Sequence, residues 1–309
     1  MAKKSFLTAL LVVMAVLCAE AQNNKVWKTD TVIDGKGNKI ITVYKQNNVA
    51  EGNGNIVTRN IDVAAFKEFS MMLPATVNYR VADNYSCRVT LDENLFEYLD
   101  IHAKGDELSL GYVYEKVQHI NLKPTKFVIE ISAPSIEKIS LVGSGDFYFV
   151  MPYEAQSLKI QTAGSGSVIF KEAANIHRFE IQIAGSGKLE CKNLQAGHAV
   201  LSVAGSGGLH IESGTAKSAD ITVAGSGDVC IESGTMKIAN ISVAGSGSVE
   251  TRCEMESMNF NIAGSGTIRY LGDVNVSGYN MGGKLRRIDL EDKKTNKKCC
   301  DEKQKKTKN

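Results

Sequence analysis

The sequence predicts an all-β protein: a parallel β-helix, or β-solenoid, with about 20 residues per coil and an expected right-handed winding. Three observations lead there. The triplet Gly-Ser-Gly occurs seven times, with first glycines Gly143, Gly164, Gly185, Gly205, Gly225, Gly245 and Gly264. The spacings between them are 21, 21, 20, 20, 20 and 19, and a fixed period of this size marks a repeat architecture. Apolar and polar residues alternate with period two on both sides of each triplet, as strands with one buried face require.

The alternation fixes the phase of each strand. Two residues before the first glycine stand Leu141, Thr162, Ile183, Val203, Val223, Val243 and Ile262. Four before it stand Ile139, Ile160, Ile181, Leu201, Ile221, Ile241 and Phe260. The position between them is polar in all seven coils: Ser140, Gln161, Gln182, Ser202, Thr222, Ser242 and Asn261. Beyond the triplet the inward columns are Phe147 through Ile268 and Phe149 through Tyr270. Each coil thus holds two strands joined by a glycine corner, where positive φ comes at little cost.

A four-stranded propeller blade needs about 40–45 residues, twice this period. Strand alternation excludes helical repeats, and the leucine-rich pattern is absent. A β-sandwich with coincidental glycine corners is the competing architecture. In the β-helix equal columns pair about 4.8 Å apart. Ser144, Ser165, Ser186, Ser206, Ser226, Ser246 and Ser265 would then form a ladder along one edge.

Around these coils the chain of 309 residues divides further. Lys3, Lys4, the apolar run Phe6 to Cys18 and Ala19-Glu20-Ala21 have the layout of a signal peptide over 1–21, cleaved before Gln22. The run is too short to span a bilayer. Residues 22–51 form a polar lead-in, 52–280 the β-helical domain with glycine coils over 139–271, and 281–309 a Lys-rich, disordered tail. That tail lacks the apolar residues a core needs. The net charge of +2 argues against a nucleic-acid partner.

The order of segments, with DENLFEYLDIHAKGDELSL, then FVIEISAPSIEKISLVGSGD, then the glycine coils, resembles the putative auto-transporter adhesin family with a head GIN domain. The resemblance covers about residues 52–280. It implies an exported β-helical protein of Bacteroidetes-type bacteria and brings no catalytic residues. The Lys-rich tail lies outside the family pattern.

Candidate chemistry lies on outward columns after the triplet. Stacking would bring Glu190, His210, Glu212 and Glu232 together, a set able to bind a cation or do acid–base work. The competing reading is a solvated face whose acids Lys192 and Arg252 neutralise, and it is the one favoured. Calcium ligation through Asp146 and Asp228 is broken by Lys188 and Gly208 in the same column. Cys191 is expected inward and Cys230 outward, two coils apart. That exceeds disulfide reach, so both are expected to stay unpaired.

The expected function is an exported or cell-surface binding or structural module, adhesin-like. No catalytic, cofactor or metal residues are assigned, and no transmembrane segment is expected. A surface glycan or a protein is the expected ligand class. A carbohydrate-active enzyme, a polysaccharide lyase or hydrolase, is the alternative.

Overall fold

A computed structural model of the chain describes residues 27–33, 39–45, 48–113, 116 and 120–289. The expected signal peptide and most of the Lys-rich tail, with Cys299 and Cys300, lie outside the described residues. The described chain separates into two units, the smaller formed by parts of 1–58, 90–100 and 111–127.

The larger unit is a parallel β-solenoid of about eight turns, roughly 20 residues apart. Every glycine coil pairs in parallel with the next at equal column positions. Leu201 of Lys188–Gly205 pairs with Ile221 of Gly208–Gly225, and Ile221 pairs with Ile241 of Gly234–Gly245. The inward columns are buried as the alternation requires, with Val203 1%, Val223 0% and Val243 1% exposed. Phe260 and Tyr270, in the later coils, are only half-buried. The described pairing runs on to Ile288, where Lys284–Ile288 adds to Thr267–Leu271, eight residues past the expected domain end at 280.

Changes of period are absorbed locally. The step from 21 to 20 residues appears as a register shift between Phe170 and Ala173. Pairing before it is Phe170 with Cys191, and pairing after it is Ala173 with Asn193. The corner itself keeps its geometry.

Aromatic residues fill the core of the first turns. Phe149 stacks on Phe170 with ring centroids 4.1 Å apart, and Tyr79, Phe147 and Tyr153 close around Phe149. The Tyr153 hydroxyl donates to the Ile136 carbonyl and accepts from the Ile136 amide, so its polar end is satisfied inside the core. Later coils are filled by aliphatic residues and methionines, among them Val223, Ile241, Ala239, Met236 and Met258.

Stacking order departs from sequence order at the start. Thr76–Val81 lies between Phe127–Ala133 and Asp146–Phe149, pairing with both. Glu68–Met71 likewise lies between Glu107–Tyr112 and Lys138–Gly143. The turn containing Phe69 and Val77 is therefore laid down first and enclosed later.

In the smaller unit Asn48–Glu51 pairs in parallel with Ile120–Lys123, and Trp27–Ile33 pairs antiparallel with Lys39–Lys45. Asp92 is fully buried there. Burial alone would raise its carboxyl pKa. The amides of Gly54, Thr125 and Lys126 and the Thr125 hydroxyl bond the carboxylate and hold it below the usual range. Its contacts include Gly54 N at 2.9 Å and Thr125 N at 2.7 Å.

Candidate binding faces of the solenoid

One outward face follows the glycine corners. In register along it stand Glu190, His210, Cys230, Glu250 and Arg269. The expected group does assemble in part. His210 Nε2 lies 3.0 Å from Glu232 Oε1, and Glu190 and Glu212 line a cleft of about 310 Å³ with His210, Lys171 and Lys192. Neutralisation takes a form the sequence reading did not specify. Arg252 and Arg269 both bond Glu250, at 2.7 Å and 3.2 Å, and Lys171 lies 4.8 Å from the centre of the Tyr148 ring.

Ligand atoms of His210, Cys230 and Glu232 lie within 4.8 Å of one another. A free thiol here would complete a nitrogen, sulfur and oxygen set suited to zinc. Cys230, however, is disulfide-bonded, so its sulfur is not available as a thiolate. This corrects the expectation that Cys230 stays unpaired; it keeps its place in the outward column, where it is covered to 7% exposed. Cys191 lies two coils away and is not its partner, being itself free. Cys191 itself is free and buried as expected, and burial pushes its thiol pKa up to about 12.

The calcium column is occupied by local bonds. Asp146 Oδ1 accepts from the Ser167 amide at 2.8 Å, and Asp228 Oδ1 accepts from the Ser248 hydroxyl at 2.5 Å. The corner serines are exposed in all seven coils and form the expected edge ladder.

A second outward face precedes the corners, and the sequence reading passed over it. Five residues before the first glycine stand Asp220, Asn240 and Asn259 on successive turns, followed by Ser277. They form one directional chain. Asn240 Nδ2 donates to Asp220 Oδ1 at 2.7 Å, Asn259 Nδ2 to Asn240 Oδ1 at 3.0 Å, and Ser277 Oγ to Asn259 Oδ1 at 2.5 Å. The detectable signal was short polar residues recurring in one column of the repeat. Beside the chain, His198 Nδ1 lies 2.7 Å from Ser218 Oγ, and His198 Nε2 lies 3.6 Å from Asp220 Oδ2. The residue types match a hydrolytic triad, but the His198 and Asp220 side chains are 34% and 44% exposed. Charge stabilisation of that chemistry depends on a water-excluded site.

No described helix is long and apolar enough to cross a membrane. Among curated proteins no match was found. Solved structures do match. A protein of Parabacteroides distasonis described as a putative lipid binding protein is 29% identical, with a TM-score of 0.72 over 78% of this chain and 99% of that one. A putative adhesin from Parabacteroides merdae shares the fold at 21% identity and a TM-score of 0.68, covering 78% of this chain and 99% of its own. A second Parabacteroides distasonis protein, a putative adhesin, does so at 23% identity and 0.69, covering 78% and 100%. The family model described as putative auto-transporter adhesin, head GIN domain, matches residues 65–176 and again 160–273. The chain belongs to that family.

Proposed function

We propose that this chain is an exported binding or structural module of adhesin type, acting in the periplasm, at the outer membrane or outside the cell, and not an enzyme. The observation that carries the reading is the second face. Its polar side chains recur turn after turn and are tied into a flat hydrogen-bonded chain, which suits spread-out recognition better than chemistry at one atom. Family membership and the signal-like start support export and a surface role. The lipid-binding description of the 29% identical relative supports a binding role in general. An acyl chain would need an apolar cleft, whereas the inward columns of this solenoid are filled by their own side chains.

The enzyme alternative rests on the cleft holding Glu190, His210 and Glu212. One experiment separates the readings. The full chain is incubated with a polysaccharide panel, with and without calcium, and new reducing or unsaturated ends are measured. No turnover is expected. Turnover that vanishes when Glu190, His210, Glu212 and Glu232 are replaced by glutamine would establish the enzyme instead.

A further inference from the structure

The geometry points to a binding site for a neutral polysaccharide on the face that precedes the glycine corners, centred on Asn240, Asn259, Asn261, Ser277 and Tyr279. This inference rests on the binding-module reading and names its face and ligand class.

The hydrogen-bonding chain leaves a repeated offer to solvent. Each asparagine amide has two N–H donors and an oxygen with two lone pairs. Asn240 and Asn259 each use one N–H toward the preceding turn and accept one bond from the following turn. One donor and one acceptor site per turn remain, on exposed side chains. A sugar hydroxyl both donates and accepts, so it matches this pair. Successive turns repeat the pair about every 4.8 Å, close to the length of one sugar unit in an extended chain. The side chains are already held by one another, so little rotamer freedom is lost on binding.

Tyr279 supplies the apolar complement. Its side chain is 79% exposed, in the strand Asn275–Met281. It stands two residues beyond Ser277, on the same side of the strand, and pairs in register with Asn261. Asn259, Asn261, Ser277 and Tyr279 therefore occupy the corners of one two-turn patch. A tyrosine ring offers a flat face for the C–H surface of a pyranose, while the amides beside it reach the equatorial hydroxyls.

Charge selects within the carbohydrates. Asp220 carries the formal charge at the end of the chain, and it lies 3.6 Å from His198. An anionic glycan would meet that carboxylate, and the five central groups offer no ammonium or guanidinium to attract it. A neutral chain meets no such penalty. A protein partner and a lipid surface are separate outcomes of the test.

The test is affinity electrophoresis of the full chain in gels containing a soluble neutral β-glucan, a neutral mannan, or anionic polygalacturonate. Phosphatidylcholine vesicles and an immobilised serum protein serve as further probes. The expected result is retardation by at least one neutral polysaccharide and not by polygalacturonate. Tyr279→Ala should weaken it on the order of tenfold, as loss of one stacking ring does. Asn240→Ala with Asn259→Ala should weaken it similarly, Tyr279→Phe should retain it, and Glu190→Gln on the other face should leave it unchanged. Native strand content and melting temperature, checked for each variant, separate lost binding from lost folding. Neutral-glycan binding that survives both the Tyr279→Ala and the double variant overturns the site. Binding only to polygalacturonate, vesicles or protein overturns the ligand class while leaving the module reading standing. Cleavage of a polysaccharide overturns the module reading itself.

Discussion

The Gly164 carbonyl oxygen accepts hydrogen bonds from both the Ser186 amide, at 2.8 Å, and the Gly187 amide, at 3.0 Å, one coil further on. Gly185 passes directly over it. A Cβ on Gly185 would stand 2.5 Å from the same oxygen, and Gly185 has a φ of 116°. Two requirements thus coincide at one residue: positive φ and backbone contact between coils.

Gly185→Ala is therefore expected to destabilise the solenoid by about 2 kcal/mol or more. Gly208→Ala is the control. The nearest atom its Cβ would meet is the Asp228 oxygen at 3.7 Å, an ordinary contact. Urea unfolding followed by far-ultraviolet circular dichroism should show a lower midpoint for the first and little change for the second. Equal losses would remove the stacking explanation.

Val223 is fully buried and Thr222, the next residue, lies half-exposed on the opposite side of the strand. Val223→Asp puts an unpaired carboxylate into the apolar column and should cost several kcal/mol. Thr222→Asp should cost less than about 1 kcal/mol. Melting temperatures of the two variants check this, and similar values would mean the strand phase is reversed.

Asp92 makes the smaller unit sensitive to acid. Its folded pKa lies below the unfolded value of about 3.9, so the carboxylate contributes stability above that pH and loses it as pH falls through the folded value. Amide exchange protection of Gly54 and Thr125 should fall in this acidic window. In Asp92→Asn protection should already be lower at neutral pH and should vary less with acid. A wild-type profile that stays flat on acidification would contradict the assignment.

Cys87 and Cys191 should resist alkylation in the native protein. Burial raises both thiols to about 12, so almost no thiolate is present near pH 8, and both side chains are sealed from reagent. Mass spectrometry after iodoacetamide should find these two unlabelled in buffer and labelled in urea. Prompt labelling in buffer would show that their part of the core opens readily.

Much of the solenoid was written in the sequence by itself. Its period, the strands on both sides of each glycine corner and the inward columns from Ile139 to Ile268 were legible, whereas the fusion of those strands into one run in Ser167–Gly185, Lys188–Gly205 and Gly208–Gly225 was not. The reason is that a parallel β-helix stacks like on like, so each structural demand recurs at a fixed interval. The glycine corner recurs because every coil must clear the backbone below it, and Val203, Val223 and Val243 recur because each fills the same core position.

What did not repeat was left to the tertiary structure. The enclosure of Thr76–Val81 between later strands has no periodic trace, because those pairings join segments about 50–70 residues apart that share no motif. The disulfide state and burial of Cys230 and the two-arginine clamp on Glu250 depend on where side chains reach between columns. The same holds for the chain from Asp220 to Ser277: its column was visible in the sequence, but its hydrogen bonds exist only once coil stacking sets the distance between turns. Periodicity determines which residues face outward. Only the folded spacing decides which of those neighbours bond to one another and what they leave open to a ligand.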